Sequence, residues 1–329
     1  MASTTHDSRR RWLAGMALAL AGLGSGALAA APDAWPMRPV RILVGFPGGS
    51  TPDMAARTLA DGLTKALGQP VIVENRAGAS GNIAAAQVAK ADDDHTLGVV
   101  INGNLTSAKM LYPKLPYDPQ KDFSYLSLLG TAPLVLVAPP GLPHGRAFFD
   151  EARRQGGSWN YGSVGAGSVA HLGMELLKSR MPGLKPVHVP FAGNPQVITA
   201  MLGGQIQMAL VPPGVVLPQV QAGKLQAVGL TSGRSALAPD VAPLADAGVQ
   251  DFNLEVWVAL IGPAKLSAAA RQRLAQEVPA LMREPDIRQR MALQGWQAVG
   301  SSPEGMVRRV NEEAATMGRI IKATGTRLE

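Results

Sequence analysis

Strand after strand in this chain ends in Gly, Ser, Thr or Asn and runs straight into a helix pattern, and this alternation constrains the fold most. The apolar run Val40–Phe46 is followed by a helix from Pro52 to about Leu67, with Leu59, Leu63 and Leu67 on one face and Gly68 as its stop. Val71–Glu74 comes next, then a glycine-rich turn from Ala77 to Gly81 and an alanine-rich helix to Ala91. Thr96–Ile101 ends in Asn102-Gly103-Asn104, and a proline-punctuated loop from Tyr112 to Phe123 precedes the strands Tyr125–Leu129 and Leu134–Ala138. The pattern then restarts. Trp159–Val164, Val187–Phe191 and Ile206–Val211 each enter a helix, through Gly165-Ala166-Gly167-Ser168, Ala192-Gly193-Asn194-Pro195 and Pro212-Pro213-Gly214 respectively. Leu225–Leu230 closes this second set, Trp257–Ile261 reads as a strand returning to the first, and Ser267–Leu281, Asp286–Gln294 and Pro303–Ala323 read as helices. The alternation predicts an α/β architecture with mostly parallel sheets. In open sheets of this kind ligands sit outside the carboxyl ends of the strands, where the helix N-termini point. Two such rims facing each other would make a cleft lined by backbone amides and hydroxyls.

The sharpest local signal is Val44-Gly45-Phe46-Pro47-Gly48-Gly49-Ser50-Thr51-Pro52-Asp53, which places Thr51 as N-cap and Pro52 at the first helical position. Glycines expose backbone N–H groups, and the helix start adds unpaired donors and a positive dipole end, so the loop is a seat for an anion. The phosphate-binding version carries a lysine in G-x-x-x-x-G-K-[ST], and none follows here, which favours a carboxylate. Ser50, Thr51 and Asp53 either cap the helix or serve the ligand, and the pattern leaves both roles open. Gly165-Ala166-Gly167-Ser168-Val169-Ala170 matches the dinucleotide pattern, but no acidic residue ends the next strand, Val187-His188-Val189-Pro190. Ser168 and His171 share a helix face, yet there is no G-x-S-x-G elbow and no placed third residue. A hydrolase on this scaffold is the alternative class. The histidines lack metal-ligand spacing, so neither metal nor cofactor is expected. Arg57 and Arg76 read more readily as partners in structural ion pairs than as carboxylate clamps.

The N-terminus has the form of an export signal: Arg9, Arg10 and Arg11, an apolar run from Trp12 to Leu23, and the small-x-small motif Ala27-Leu28-Ala29. Ser8-Arg9-Arg10-Arg11-Trp12-Leu13 also resembles a twin-arginine signal. The chain has no cysteine, which removes both a disulfide framework and a lipid-bearing cleavage site, so a freely diffusing periplasmic protein is expected. Cleavage after Ala29 removes three arginines and Asp7, lowering the formal charge from +7 to +5. That mild surplus can steer an anion. No dense basic stripe or aromatic–basic motif suggests nucleic acid, and no apolar run after the signal approaches a membrane span.

In these motifs the chain resembles the periplasmic solute receptors of tripartite tricarboxylate transporters, the Bug family. The resemblance runs from Trp35 to about Gly325. It is carried by Pro39-Val40-Arg41 with the Gly48–Asp53 loop, by Gly68-Gln69-Pro70-Val71-Ile72-Val73-Glu74-Asn75-Arg76-Ala77-Gly78, and by Leu111-Tyr112-Pro113-Lys114-Leu115-Pro116-Tyr117-Asp118-Pro119. Tyr161–Ser168, Leu202-Gly203-Gly204-Gln205, Ala222-Gly223-Lys224-Leu225 and Gly295-Trp296 complete it. The resemblance implies a type II periplasmic-binding-protein fold, with two α/β lobes joined by crossing strands around a central cleft. The implied division is a signal over residues 1–29, a first lobe over 30–132 and 255–329, and a second over 133–254. It also implies a monomeric, non-enzymatic receptor that closes on a small organic carboxylate and delivers it to membrane permease subunits; a sensor presenting the ligand to a signalling kinase is the variant reading. By position, the implied first-lobe ligand residues are Phe46, Gly48, Gly49, Ser50, Thr51, Asp53, Asn102, Gly103 and Asn104. The second-lobe residues are Ser163, Gly165, Gly167, Ser168, His171, Phe191, Gly193 and Asn194. One departure stands out. Where many relatives read Phe-Asp-Asn-Leu-Pro, this chain has Leu210-Val211-Pro212-Pro213-Gly214. That loses a carboxylate able to face a ligand ammonium, so amino acids are expected to bind worse than plain carboxylates.

Overall fold

The computed structural model describes residues 35–327, so the export signal and its cleavage motif lie outside the described residues. Two sheets carry the chain. The first contains β1 (Val40–Val44), β2 (Val71–Asn75), β3 (Thr96–Ile101), β4 (Phe123–Pro133), β10 (Glu255–Pro263) and β11 (Gln297–Ala298), in the order β11-β4-β10-β3-β1-β2. The second contains β5 (Val135–Ala138), β6 (Asn160–Ser163), β7 (Val187–Pro190), β8 (Met208–Val211) and β9 (Gln226–Leu230), in the order β7-β6-β8-β5-β9. β1 pairs in parallel with β2 and β3, and β6 in parallel with β7 and β8.

The expectation of mostly parallel pairing needs amendment at the two strands that link the sheets and at β11, which pairs antiparallel with β4. β10 runs antiparallel to both β3 and β4, and β5 runs antiparallel to both β8 and β9. Each is the strand by which the chain enters a sheet from the other, so it arrives in the reversed sense. The strands expected at Tyr125–Leu129 and Leu134–Ala138 are in fact a long β4 and a short β5, separated only by Leu134. This is the two-sheet, crossing-strand architecture of the type II periplasmic-binding fold.

Burial on both faces explains why these strands read as near-continuous apolar runs. In β3, Leu97, Val99 and Ile101 enter one core, with Leu59 and Leu63 of α1 (Thr51–Leu67) and Leu274 and Val278 of α9 (Ala268–Leu281). Val100 enters the opposite core, with Ala85 and Val88 of α2 (Asn82–Ala89) and Met306 and Val310 of α11 (Pro303–Thr324). β5 divides in the same way: Val135 and Val137 face Val197 and Met201 of α7 (Asn194–Leu202), while Leu136 faces Leu172 and Met174 of α6 (Val169–Arg180). Two short helical turns, α3 (Asn102–Leu105) and α4 (Ala108–Leu111), follow β3, while α8 (Pro213–Gln221) follows β8 and α10 (Pro285–Leu293) precedes β11.

Two helices depart from the sequence expectations. α5 (Arg146–Gln155) arises where no element was anticipated, because its buried residues, Phe148, Phe149 and Ala152, are too few to show a period. α11 was expected to belong wholly to the first lobe. It starts there, but Met317 and Ile320 near its end pack into the core of the second sheet. Among the described residues no helix is long and apolar enough to cross a membrane.

The crossing segments are stitched by one residue. Thr231, fully buried just after β9, accepts the Leu134 N–H on Oγ1 at 2.9 Å and donates that hydroxyl to Leu254 O at 2.7 Å. Its backbone also donates to Leu134 O and accepts from the Leu254 N–H. Both linkers between the sheets therefore converge on a single side chain.

Candidate functional site

Three helix starts meet where the two sheets face each other. α1 begins after Ser50, α6 after Ser168 and α7 after Gly193, each cap residue having extended backbone. The expected cap position is corrected by one residue. Ser50, with φ −71° and ψ 159°, is the N-cap, and Thr51 is the first helical residue. The first N–H groups of each helix have no intrahelical partner, and their dipoles point toward the same space.

That space is a cavity of about 30 Å³ between the lobes. Ser50, Thr51, Ser168 and Asn194 reach its wall from the helix starts. The rest is apolar, including Phe46, Ile101, Leu134, Leu210, Val256 and Trp296. The Asn194 carboxamide donates to Thr51 Oγ1 at 2.9 Å, joining the first turn of α7 to that of α1 across the cleft. Ser168 Oγ accepts the His171 N–H as an ordinary cap. Ser50 differs: its hydroxyl is buried, makes no cap bond and has no partner. A buried hydroxyl left unpaired costs about 1–3 kcal/mol.

The remaining first-lobe residues support the loop or close the cleft. Gly48 and Gly49 are exposed, and Gly49 has φ +76°, a turn that suits glycine. Its N–H donates to Asp53 Oδ2 at 2.9 Å. Asp53 also accepts from Arg57 at 3.0 Å and from the Asn75 carboxamide at 2.8 Å, while Asn75 donates again to Phe46 O. Burial alone would raise the Asp53 carboxyl, but hydrogen bonds from Arg57, Asn75 and Gly49 outweigh it and hold the group ionised. Asp53 thus serves the loop, and Arg57 is its ion-pair partner. The side chain of Asn102 is turned away from the cavity, donating to Glu255 O and to Glu313. Asn104 donates to Ser80 O and to Asn82, and Tyr117 donates to Asn82 Oδ1 and Asn104 O.

In the second lobe, the Gly165–Ser168 turn is pressed against the first. Ser107 Oγ donates to Gly167 O at 2.7 Å, Tyr112 Oη to Ala166 O at 2.8 Å and Ser80 Oγ to Ala166 O at 3.0 Å. A Cβ on Gly103 would meet Gly167 O at 3.3 Å, and one on Gly193 would meet Pro47 Cδ at 3.1 Å. The lobes are closed. His171 is buried behind the turn, its Nδ1 accepting the Gly167 N–H at 3.0 Å and its ring stacked on His188 at 4.1 Å between centroids. Burial keeps both imidazoles neutral and pushes His188 down to about 4, helped by the neighbouring His171. Ser163 Oγ lies 2.7 Å from His188 Nε2 and donates to Gly165 O, which makes it part of the turn's support. Phe191 is half-buried against the second-sheet core.

Sequence reasoning did not single out Ser80, Ser107 or Thr231, and it named Asn75 and Tyr112 only within the motifs that carry the resemblance and, for Tyr112, as the start of a loop. These are polar residues scattered in the chain, and only the closed arrangement shows their role. Trp296, whose Nε1 donates to Thr51 O at 3.3 Å, marked the resemblance without being assigned to the cleft. Among the described residues, no group of three or more His, Asp and Glu is placed to hold a metal ion.

Two α/β lobes on crossing strands, shut over a small cleft at converging helix starts, define a two-lobed solute receptor. The chain belongs to the tripartite tricarboxylate transporter family of receptors, whose model matches residues 55–326. It is 30% identical over 305 residues to a UPF0065 protein from Agrobacterium vitis, covering 91% of this chain and 88% of that one. BugT of Bordetella pertussis is 30% identical over 320 residues, with 96% of this chain and 97% of BugT covered. Among solved structures, MatC from Rhodopseudomonas palustris with bound malate is 30% identical, with a TM-score of 0.82 over 87% of this chain and all of that one.

Proposed function

We propose that this protein is an exported receptor that binds a small organic carboxylate between its lobes and hands it to the permease subunits of a tripartite transporter. The observation that carries the reading is the meeting of three helix starts at one cavity, with the unpartnered Ser50 hydroxyl in its wall. Family membership and a relative solved with malate support the ligand class. In this reading residues 35–132 and 255–327 form one lobe, with the end of α11 reaching onto the other, which 133–254 form, and Thr231 marks the hinge.

A carboxylate at the helix starts favours the closed form because it contacts both lobes at once, and only differential affinity of this kind shifts such an equilibrium. A binding role without chemistry is supported by the state of Ser168 and His171. The serine oxygen caps α6, and the histidine Nδ1 is occupied by the Gly167 N–H, so the two do not form a nucleophile–base pair. Thermal-shift screening of the mature protein against mono-, di- and tricarboxylates, followed by calorimetry, tests the proposal. At 100 times Kd a ligand adds about 2.7 kcal/mol, a rise of several degrees. Absence of any shift across the whole panel would refute the receptor reading.

A further inference from the structure

We infer that the preferred ligand carries a single carboxylate on an apolar body, and that a second carboxylate is a penalty in this cleft. The inference rests on the receptor reading above and narrows its ligand class. Three observations carry it.

The first is charge. Among the described residues, the walls of the cavity at Ser50 and of the smaller one beside it at Gly103 contain no Lys, Arg, His, Asp or Glu. Arg57, the cation closest in sequence to the loop, is committed to Asp53 and also donates to Asn75. His171 is held neutral by burial and turned to Gly167. What remains for an anion is the helix starts of α1, α6 and α7, each worth roughly half a positive charge. Together they supply about one and a half positive charges, enough for one carboxylate and short of two. A second one would be buried without a full counter-charge.

The second is the wall itself. Away from the helix starts the cleft presents Phe46, Ile101, Leu134, Leu210, Val256 and Trp296, side chains that offer an acid's body contact area and few hydrogen bonds. Leu210 and Pro212 lie in the segment Leu210–Gly214, so this stretch contributes apolar surface where an acidic side chain could have faced an amine or ordered a hydroxylated ligand. A hydroxy acid would leave its own hydroxyls unpaired there.

The third is the Ser50 hydroxyl. It is 1% exposed, has no partner in the protein and lines the cavity at the start of α1. A donor at that point suits one carboxylate oxygen seated on the amides of the same helix turn.

Hexanoate and adipate make the decisive pair, since they share a six-carbon chain and differ by one terminal carboxylate. Calorimetry on the purified mature protein is expected to give hexanoate at least tenfold tighter binding than adipate, malate or citrate, with hexanamide at least tenfold weaker than hexanoate. Benzoate is the second apolar-bodied probe and is expected to outcompete malate. Ser50→Ala is expected to weaken hexanoate binding about fivefold or more while the melting temperature of the free protein does not fall, since an unpaired buried hydroxyl is removed. Tighter binding of adipate, malate or citrate than of both monocarboxylates overturns the inference while leaving the receptor reading intact. Equal binding of hexanamide and hexanoate, or undiminished binding by Ser50→Ala, overturns the single-anion seat. No binding of any acid removes both readings.

Discussion

Gly103 offers a direct test of how the lobes shut. It sits in the α3 turn of the first lobe, and a Cβ there would lie 3.3 Å from Gly167 O and 3.7 Å from Ser168 Cα, both on the second lobe. Alanine fits with an adjustment of a few tenths of an ångström. Valine adds two methyl groups about 1.5 Å beyond that Cβ and is stiff at χ1, so it wedges the facing backbone outward. The wedge acts where Ser107, Tyr112 and Ser80 hydrogen-bond to Gly167 O and Ala166 O, at 2.7, 2.8 and 3.0 Å. Each such bond contributes about 0.5–1.5 kcal/mol net, so losing all three costs roughly 1.5–4.5 kcal/mol of closed-state stability. That loss falls on affinity, because the ligand binds the closed form. Calorimetry with the tightest carboxylate is expected to show Gly103→Val weakened by about tenfold to a thousandfold. Gly103→Ala is expected to stay within about threefold. Small-angle scattering of the Val variant with ligand is expected to report a larger radius of gyration than wild type. Wild-type affinity together with a wild-type scattering profile for Gly103→Val would refute the closure mechanism.

Three further outcomes follow from the same geometry. Thr231→Val removes the acceptor of the Leu134 N–H and the donor to Leu254 O at a fully buried position, so it is expected to cost about 1–3 kcal/mol, read as a lower urea midpoint. Asp53→Ala leaves the Gly49 N–H, the Asn75 carboxamide and Arg57 without their shared acceptor, and is expected to cost about 1–3 kcal/mol in urea and to weaken ligand binding by loosening the loop. His188 is depressed to about 4 by burial and by His171, in a pocket that Tyr161, Glu175 and Lys178 also face. The unfolded chain then binds the extra proton between about pH 6.5 and 4, so stability is full above that window and falls through it by roughly 2–3 kcal/mol. Denaturant midpoints from pH 7 to 4 check this, and His188→Gln is expected to flatten the slope.

Much of the fold was legible because each strand is short, apolar and punctuated by Gly or Pro before a helix. Periodicity located β1, β3, β6 and β8 to within a residue or two. It could not reveal the reversed sense of β5 and β10, which depends on where the chain crosses between sheets and has no local signature. α5 was hidden by its polar composition, and the reach of α11 onto the second lobe depends on Met317 and Ile320 meeting a distant core. In the candidate site, the glycine–serine loops carried the signal because backbone donors need small residues. The roles within those loops divided in ways that residue type alone does not specify. Ser50 and Ser168 are both N-caps, yet Ser168 accepts its cap bond and Ser50 does not. Asn102 and Asn104 belong to the same turn as Gly103, but their carboxamides brace the first lobe instead of facing the cavity. Thr231 carried no signal, since a buried threonine after a strand is commonplace and its meaning lies in the two linkers it joins.

The central claim is that a carboxylate group is held at the converging starts of α1, α6 and α7 without a side-chain cation. A crystal structure of the mature protein with its tightest-binding acid tests it most directly. The account predicts carboxylate oxygens within hydrogen-bonding distance of Ser50 Oγ and of backbone N–H groups from the first turns of α1 and α6, with the lobes shut around them. An acid clamped by an arginine or lysine, or seated outside the groove between the lobes, would contradict it.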